Sequence, residues 1–388
     1  MARRTPSLPP EMLIDLGYYR DAAGTPFADH ATALAHFKHQ GQAAGLMPSP
    51  YFYTDWYVWQ NPDSAKYDSA LHHFAYRAGQ APIDPAPFLD SVAFLAAHPE
   101  YDTMAAALAA LTDGRETSVA SDLDTHLTAL EAAQQRVHAA IRSTLVRHVR
   151  TDRRRLVWVQ AGPRFSTTTW FRPDAPRSWD LMCNWYARTG LDLRHGETHL
   201  VQPGTKVTAI HHVLQTRPEL LSAYDQVLFL DDDLEIGHAD IDRLFDIAET
   251  EGFDLFQPAL LPGSHCVWPD LFRKVDIGFH RTTGVEIMMP GFSRKALELS
   301  AALFGRSVSA FGLDFAVSEQ IRAQGGTCAV IDAVGVGHYA EIDEAGGAYY
   351  RLMRALGINQ KLELYTVMRA LGGKRPEFRE LAGADGSA

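Results

Sequence analysis

The sequence predicts an α/β protein: a mixed, mainly parallel sheet sandwiched by helices, preceded by an α-helical repeat module and a long helix. Three observations predict it. Beyond Arg155, short apolar runs alternate with segments of helical periodicity, which is the pattern of strand–helix units. One such run, residues 227–230, stops on three consecutive carboxylates, Asp231, Asp232 and Asp233. A short continuous apolar run suits a strand buried on both faces, and ligands of open α/β sheets bind beyond the carboxyl ends of such strands. Finally, the first 114 residues repeat with a 37-residue period.

The repeat is read from its landmarks. Ala33-Leu34-Ala35-His36-Phe37, Ala70-Leu71-His72-His73-Phe74 and Ala107-Leu108-Ala109-Ala110-Leu111 recur in step. Pro48-Ser49-Pro50 returns as Pro85-Ala86-Pro87, Asn61-Pro62-Asp63 as His98-Pro99-Glu100, and Tyr18-Tyr19 as Trp56-Tyr57. Each copy holds two short amphipathic segments parted by Pro, Gly and Asp, so residues 1–114 are expected as three helical hairpins that bury their aromatic faces by stacking. Their tyrosines and histidines are expected to pack, and the module is a candidate surface for a protein partner.

Residues 115–154 are expected to connect the two halves. Across 122–150 Gly and Pro disappear and Leu123, Leu127, Leu130, Val137, Ile141 and Leu145 track one face, which predicts one long helix. The cluster Arg147, Arg150, Arg153, Arg154 and Arg155 then reads as a solvated helix end. In 155–345 strands are expected at 156–161, 179–186, 199–202, 227–231, 255–258 and 285–289. Helices are expected at 205–217, 239–251, 293–303 and 314–324. Residues 346–388 should form C-terminal helices and a flexible tail.

Composition narrows the function classes. With 46% apolar and 21% charged residues the chain is globular, and a net charge of −11 argues against a nucleic-acid surface. Cys183, Cys266 and Cys328 lack a zinc spacing and suit reduced thiols. The N-terminus lacks the apolar core of a signal peptide, and no apolar run is long enough to span a membrane. A cytoplasmic location is therefore expected, with peripheral attachment to the inner membrane left open. Neither a Gly-x-Gly-x-x-Gly nor a Walker loop occurs.

The carboxylates carry the chemistry. In an extended segment Asp231 and Asp233 face the same way, so they could converge on one cation while Asp232 turns elsewhere. Hard oxygen ligands suit Mg2+ or Mn2+; the alternative is an acidic loop that merely ends a strand. Gly162 after the first expected strand, Asp180 on the second, Lys206 at a helix start and Asp232 are the candidates for contact with a nucleotide. Arg281 and Arg294 are further candidates for its phosphates. Glu286, inside the apolar run VEIMM, and Asp314, at a helix start, are carboxylates that burial makes costly unless they are paired or used.

The ordered set YDQVLFLDDDLEI, FDLFQPAL, TTGVEIMMPGFSRKAL, FGLDF and VIDAVGVGH, with Gly204-Thr205-Lys206 and RSWDLMCNWY upstream, resembles an uncharacterised glycosyltransferase-like family of bacterial and plant proteins. Through it the chain resembles the GT-A class of nucleotide-sugar glycosyltransferases. The N-terminal repeats resemble those attached to bacterial polysaccharide-making glycosyltransferases. The resemblance implies a Rossmann-like nucleotide-binding sheet, a divalent metal on an Asp-x-Asp motif and transfer from a nucleotide-sugar to a hydroxyl acceptor such as a glycan. It also implies His338 as a third metal ligand beside Asp231 and Asp233. Asp314 then stands where inverting members keep their general base, and Glu286 would orient the donor or acceptor. The competing role for Asp314 is a helix cap, and for His338 a core histidine. A non-catalytic scaffold and a nucleotidyl- or phosphotransferase using the same metal site stay open.

Overall fold

The computed structural model describes residues 8–388 apart from 164, 167–171, 173–174, 341–342, 345, 374–375, 383–385 and 388. The chain forms two compact units, Met1–Ala132 and Ala133–Ala388. In the first, the three repeats give three helix pairs: α1 (Leu16–Ala23) with α2 (His30–His36), α3 (Thr54–Gln60) with α4 (Ala70–Arg77), and α5 (Ser91–Ala97) with α6 (Met104–Thr112). Asp15 and Asp90 cap α1 and α5 by accepting the Tyr18 and Ala93 backbone N–H groups. Successive copies are joined by equivalent backbone bonds, Asp15 N–H to Pro48 C=O and Tyr53 N–H to Pro85 C=O, both 3.0 Å. Within a copy, the Tyr19 hydroxyl lies 2.9 Å from His36 Nδ1, and the Tyr57 hydroxyl 2.8 Å from His73 Nδ1. In the third copy those two positions are Phe94 and Ala110, which pack without the polar link.

The expected long helix is shorter than its periodicity suggests. Helix α7 (Leu123–Ala140) ends ten residues early, and Thr144–His148 is an edge strand, β1, antiparallel to β4 (Thr198–Val201) with Leu145 opposite Leu200. Leu145 fitted a helical stripe because a half-buried strand also places an apolar residue there. Nor is the arginine cluster a solvated helix end. Arg153 pairs with Asp180 and Glu197, Arg154 with Asp225, and Arg155 with Asp246 and Glu249.

The second unit is built on one sheet. Its strands also include β2 (Arg155–Ala161), β3 (Trp179–Trp185), β5 (Gln226–Asp231), β6 (Leu255–Leu260), β7 (Ile277–Arg281), β8 (Gly291–Ser293), β9 (Cys328–Val336) and β10 (Gly386–Ser387). The order is β1-β4-β3-β2-β5-β8-β6-β9-β7-β10. Strands β4, β3, β2 and β5 are mutually parallel, as are β6 and β9, but β8 runs antiparallel between β5 and β6, and both margins are antiparallel. The sheet is therefore mixed rather than mainly parallel, because three-residue β8 and the marginal strands carry too little periodicity to announce themselves. The strand expected at 285–289 is an irregular loop; Val285 and Met289 are apolar because that loop is buried.

Helices cover both faces. Leu156, Trp158, Val227 and Phe229 share a core with Val207 and Ile210 of α8 (Lys206–Thr216), Leu297 of α11 (Arg294–Phe304) and Val317 and Ile321 of α12 (Leu313–Ala323). On the other face Phe245 of α10 (His238–Thr250) meets Phe256, ring centroids 6.3 Å apart. A four-residue turn, α9 (Glu219–Ser222), leads into β5. At the C-terminus α13 (Ala348–Leu356) and α14 (Gln360–Ala370) follow as expected. The expected flexible tail is in part an ordered strap: Phe378 is buried, and Arg379 exchanges hydrogen bonds with Thr283. The rest of that expectation, at 383–385 and 388, lies outside the described residues.

One carboxylate ties these pieces together. Glu363 of α14, 2% exposed, accepts from Gln134 Nε2 (2.7 Å), the Val308 and Ser309 backbone N–H groups (2.9 Å each), and the Ser307 and Ser309 hydroxyls. Buried N–H groups left without an acceptor cost about 1–3 kcal/mol each. Glu363→Ala is therefore expected to lower unfolding stability by about 3 kcal/mol or more, and Glu363→Gln by less, read from urea midpoints of the full chain.

Candidate functional site

The site forms where the carboxyl end of β5 meets the end of β9. Asp231 closes β5, and four residues later Glu235 exchanges backbone hydrogen bonds with Gly337, N–H to C=O 2.9 and 3.0 Å. That bridge sets Asp233 beside His338, with Oδ2 3.6 Å from Nε2. His338 is held from behind by its own N–H to Ser264 Oγ and by the His265 carbonyl near Nδ1. The neighbouring Asp233 carboxylate raises the His338 pKa, and the His338 ring lowers that of Asp233.

Asp231 does not join that pair directly. Its Oδ1 lies 2.8 Å from Lys206 Nζ, and the ammonium also donates to the Met288 carbonyl. Burial raises the Asp231 pKa, Lys206 opposes the rise, and Asp233 adds to it. Lys206 is itself buried, and its ammonium is engaged by Asp231 and the Met288 carbonyl. The ligand atoms of Asp231, Asp233 and His338 do not all close to within 4.8 Å of one another. The Asp233 and His338 donors, 3.6 Å apart, nevertheless have the chemistry and spacing to share one ion.

Asp232 and Asp233 lie in the turn after β5 rather than in the expected extended segment, and Asp232 Oδ2 accepts the Gly162 N–H at 2.7 Å. A side chain at 162 has no room: a Cβ there would stand 1.9 Å from the Tyr186 hydroxyl and 2.8 Å from Asp232 Oδ2. The close approach read from Gly162-Pro163 is thus made by the chain's own Tyr186 and Asp232, which tie β2, β3 and β5 together at their carboxyl ends.

Asp180 is a correction. Opposite Leu156, which also faces Val227, it lies four residues toward the amino edge from the level of Asp231, roughly 13 Å down the sheet. It is fully engaged there by Arg153 (2.8 Å), Thr151 (2.7 Å) and the Tyr224 hydroxyl (2.9 Å). Arg294 is bound at the same edge, to Asp225 and the Tyr224 carbonyl, and Arg281 ends β7 over the Phe253 ring.

Glu286 and Asp314 complete the cluster. Glu286 lies in a loop rather than the expected strand, with its N–H on Gln257 Oε1 at 2.8 Å and its Oε1 3.4 Å from the Cys266 thiol. Its Oε2 is buried and has no hydrogen-bond partner. Asp314 is in the first turn of α12 but does not cap it: the cap position is Gly312, whose φ of 81° suits glycine, and Asp314 Oδ1 accepts only the next N–H, of Phe315. Burial pushes both carboxyls up to about 7, the neighbouring Glu286 adding to the rise at Asp314 and His338 opposing it at Glu286. Reasoning from sequence missed Cys266 and Gln257; a lone cysteine and a strand glutamine carry no spacing signal.

No protein-family model and no curated protein matches the chain, so the family resemblance gains no support at the level of sequence. Among solved structures it is similar to GalNAc-T7, crystallised with UDP, GalNAc and Mn2+: 13% identity, TM-score 0.39, 52% of this chain and 47% of that one. It is also similar to A197 from STIV, at 14% identity and TM-score 0.28, covering 49% of this chain and 87% of that one. This chain thus spans about half the length of the first. Both likenesses are loose. Among the described residues no helix is long and apolar enough to cross a membrane.

The raised carboxyls predict a pH dependence. Their ordinary values lie near 4, so between roughly pH 4 and 7 the folded state holds more protons than the unfolded one, and stability falls as pH rises. Asp231 and Asp232, also raised by burial, act in the same direction. Glu286→Gln with Asp314→Asn should flatten the fall and leave the protein more stable than wild type at pH 8, measured as urea midpoints from pH 5 to 8. Equal slopes in variant and wild type would contradict the assignment.

Proposed function

We propose that the chain is a metal-dependent glycosyltransferase of the GT-A type, moving a sugar from a nucleotide-sugar to a hydroxyl acceptor, in bacterial surface polysaccharide or glycoconjugate synthesis. One observation carries the reading. At the carboxyl end of a central strand, the Asp233–His338 pair stands beside Asp231, His338 is within electrostatic reach of Glu286, and Glu286 in turn neighbours Asp314, both of these last carboxyls being pushed up to about 7 by burial. A Mn2+ or Mg2+ ion on Asp233 and His338, joined by Asp231, would neutralise charge on the leaving nucleoside diphosphate.

The chain's own residues supply the rest. Asp314, ionised in part at neutral pH, takes the proton of the acceptor hydroxyl as its oxygen bonds to the anomeric carbon and the sugar–phosphate bond breaks. Glu286, its Oε1 on the Cys266 thiol, presents Oε2 to a sugar hydroxyl. Asp232, bonded to Gly162, holds the loop that borders the nucleotide. A second reading, a non-catalytic scaffold, draws on the Lys206–Asp231 pair, which occupies a ligand oxygen.

Nucleoside diphosphate release from a panel of nucleotide-sugars, with and without Mn2+, separates the two. The transferase reading expects Mn2+-dependent release that Asp233→Ala and His338→Ala abolish. Asp314→Asn should keep donor affinity while transfer falls by roughly 10²–10⁴-fold. Near wild-type transfer in that variant would remove Asp314 from the mechanism.

A further inference from the structure

A second cluster of metal-ligating side chains lies far along the sequence from this site, in the last repeat of the first unit. His98 follows α5, and Glu116 follows α6. His98 Nδ1 lies 3.2 Å from Glu100 Oε1 and 3.5 Å from Glu116 Oε2. Among the described residues these three His, Cys, Asp or Glu side chains form a group whose ligand atoms all lie within 4.8 Å of one another. Zinc bonds of about 2.0–2.2 Å give a tetrahedron with edges of roughly 3.3–3.6 Å. The two measured edges therefore sit close to those of a tetrahedral ion.

The surroundings suit a ligand set. His98 Nε2 is 3.2 Å from Ser118 Oγ and Nδ1 is within hydrogen-bond distance of Glu100 Oε1; with the ring proton on Nε2, Ser118 orients the ring and the Nδ1 lone pair is available to an ion held by the two carboxylates, the arrangement of metal-bound histidines. Glu116 Oε1 accepts the Ser118 N–H at 2.7 Å, and its Oε2 accepts the Tyr101 hydroxyl at 3.4 Å. His98 is stacked on Phe94 with centroids 4.3 Å apart, and its N–H is anchored on the Phe94 carbonyl. The ring is thus placed before any ion arrives.

Comparison among the copies supplies an independent argument. The first two hairpins are linked internally by Tyr19–His36 and Tyr57–His73. The third has Phe94 and Ala110 at those positions and no such bond, while the Asn61 and Asp63 of the second copy are replaced by His98 and Glu100. The copy that lost its polar link carries a ligand set between the ends of its two helices. From this juxtaposition we infer that His98, Glu100 and Glu116 bind one divalent transition-metal ion, zinc by preference, that staples the third repeat, with water completing the shell.

The inference is independent of the proposed transferase activity, and its test uses zinc alone. Full-length protein stripped with EDTA is titrated with zinc chloride at pH 7.5 by calorimetry and by thermal melting. In an Asp231→Ala/Asp233→Ala background one equivalent should still bind and raise Tm. His98→Asn, which restores the residue of the second copy, should abolish that equivalent and the rise in Tm. Glu100→Gln, at an exposed position, should weaken binding by about tenfold or more and serves if His98→Asn fails to fold. Zinc binding that neither variant weakens, or no binding by the background protein, overturns the site.

Discussion

The buried Glu363 carboxylate is the constraint on which the second unit depends. A carboxylate removed from water is tolerated only when its oxygens are surrounded by donors, and here acceptor and donors come from three parts of the chain. Gln134 belongs to α7, the Ser307–Ser309 segment to the loop before α12, and Glu363 itself to α14. The same loop gives its Val308 carbonyl to Thr205, the cap of α8, and its Ser309 carbonyl to the Tyr349 hydroxyl. Held at both ends, it carries Ala310 at a φ of 76°, a left-handed conformation costly for a residue with a Cβ, and then Gly312 and Asp314. The orientation of Asp314 is in this sense set from the C-terminal helix.

Around β5 the charges are arranged in pairs of opposite tendency. Asp231 and Lys206 share one contact and Asp233 and His338 another, so the acidic triplet does not repel itself out of shape. Glu286 and Asp314 have no cation of their own within bonding distance, and burial drives them toward the protonated form. Asp233 is moved the opposite way, held below the usual carboxylate range by His338. Asp180, by contrast, is buried but surrounded by donors, which is the signature of a structural ion pair.

The repeat module shows how small polar links substitute for one another. Two copies join their helices through a tyrosine hydroxyl and a histidine ring nitrogen; the third buries apolar residues at those positions and gathers His98, Glu100 and Glu116 nearby. Single helices of seven to nine residues are marginal alone, so such links matter beyond their individual energies.

The division between what the sequence determined and what the tertiary structure decided follows the range of the forces involved. Local periodicity and capping were enough for the repeat pairs, for β2, β3, β5 and β6, and for the helices at 206–216, 238–250, 294–304 and 313–323. The acidic triplet at the end of β5 was legible for the same reason, since a buried strand must end where its carboxylates begin. Strand direction was not, because an apolar run reads alike in a parallel or antiparallel neighbour, and β8 is too short to show a period. Nor were the partners of the site residues. That Lys206 would take an oxygen of Asp231, that Asp180 would fall at the wrong edge, and that Cys266 would face Glu286 depend on register and on loops that meet only in three dimensions. The turn that follows β5 separated Asp232 from its neighbours, and only the Glu235–Gly337 bridge, made across more than a hundred residues of sequence, brought Asp233 to His338.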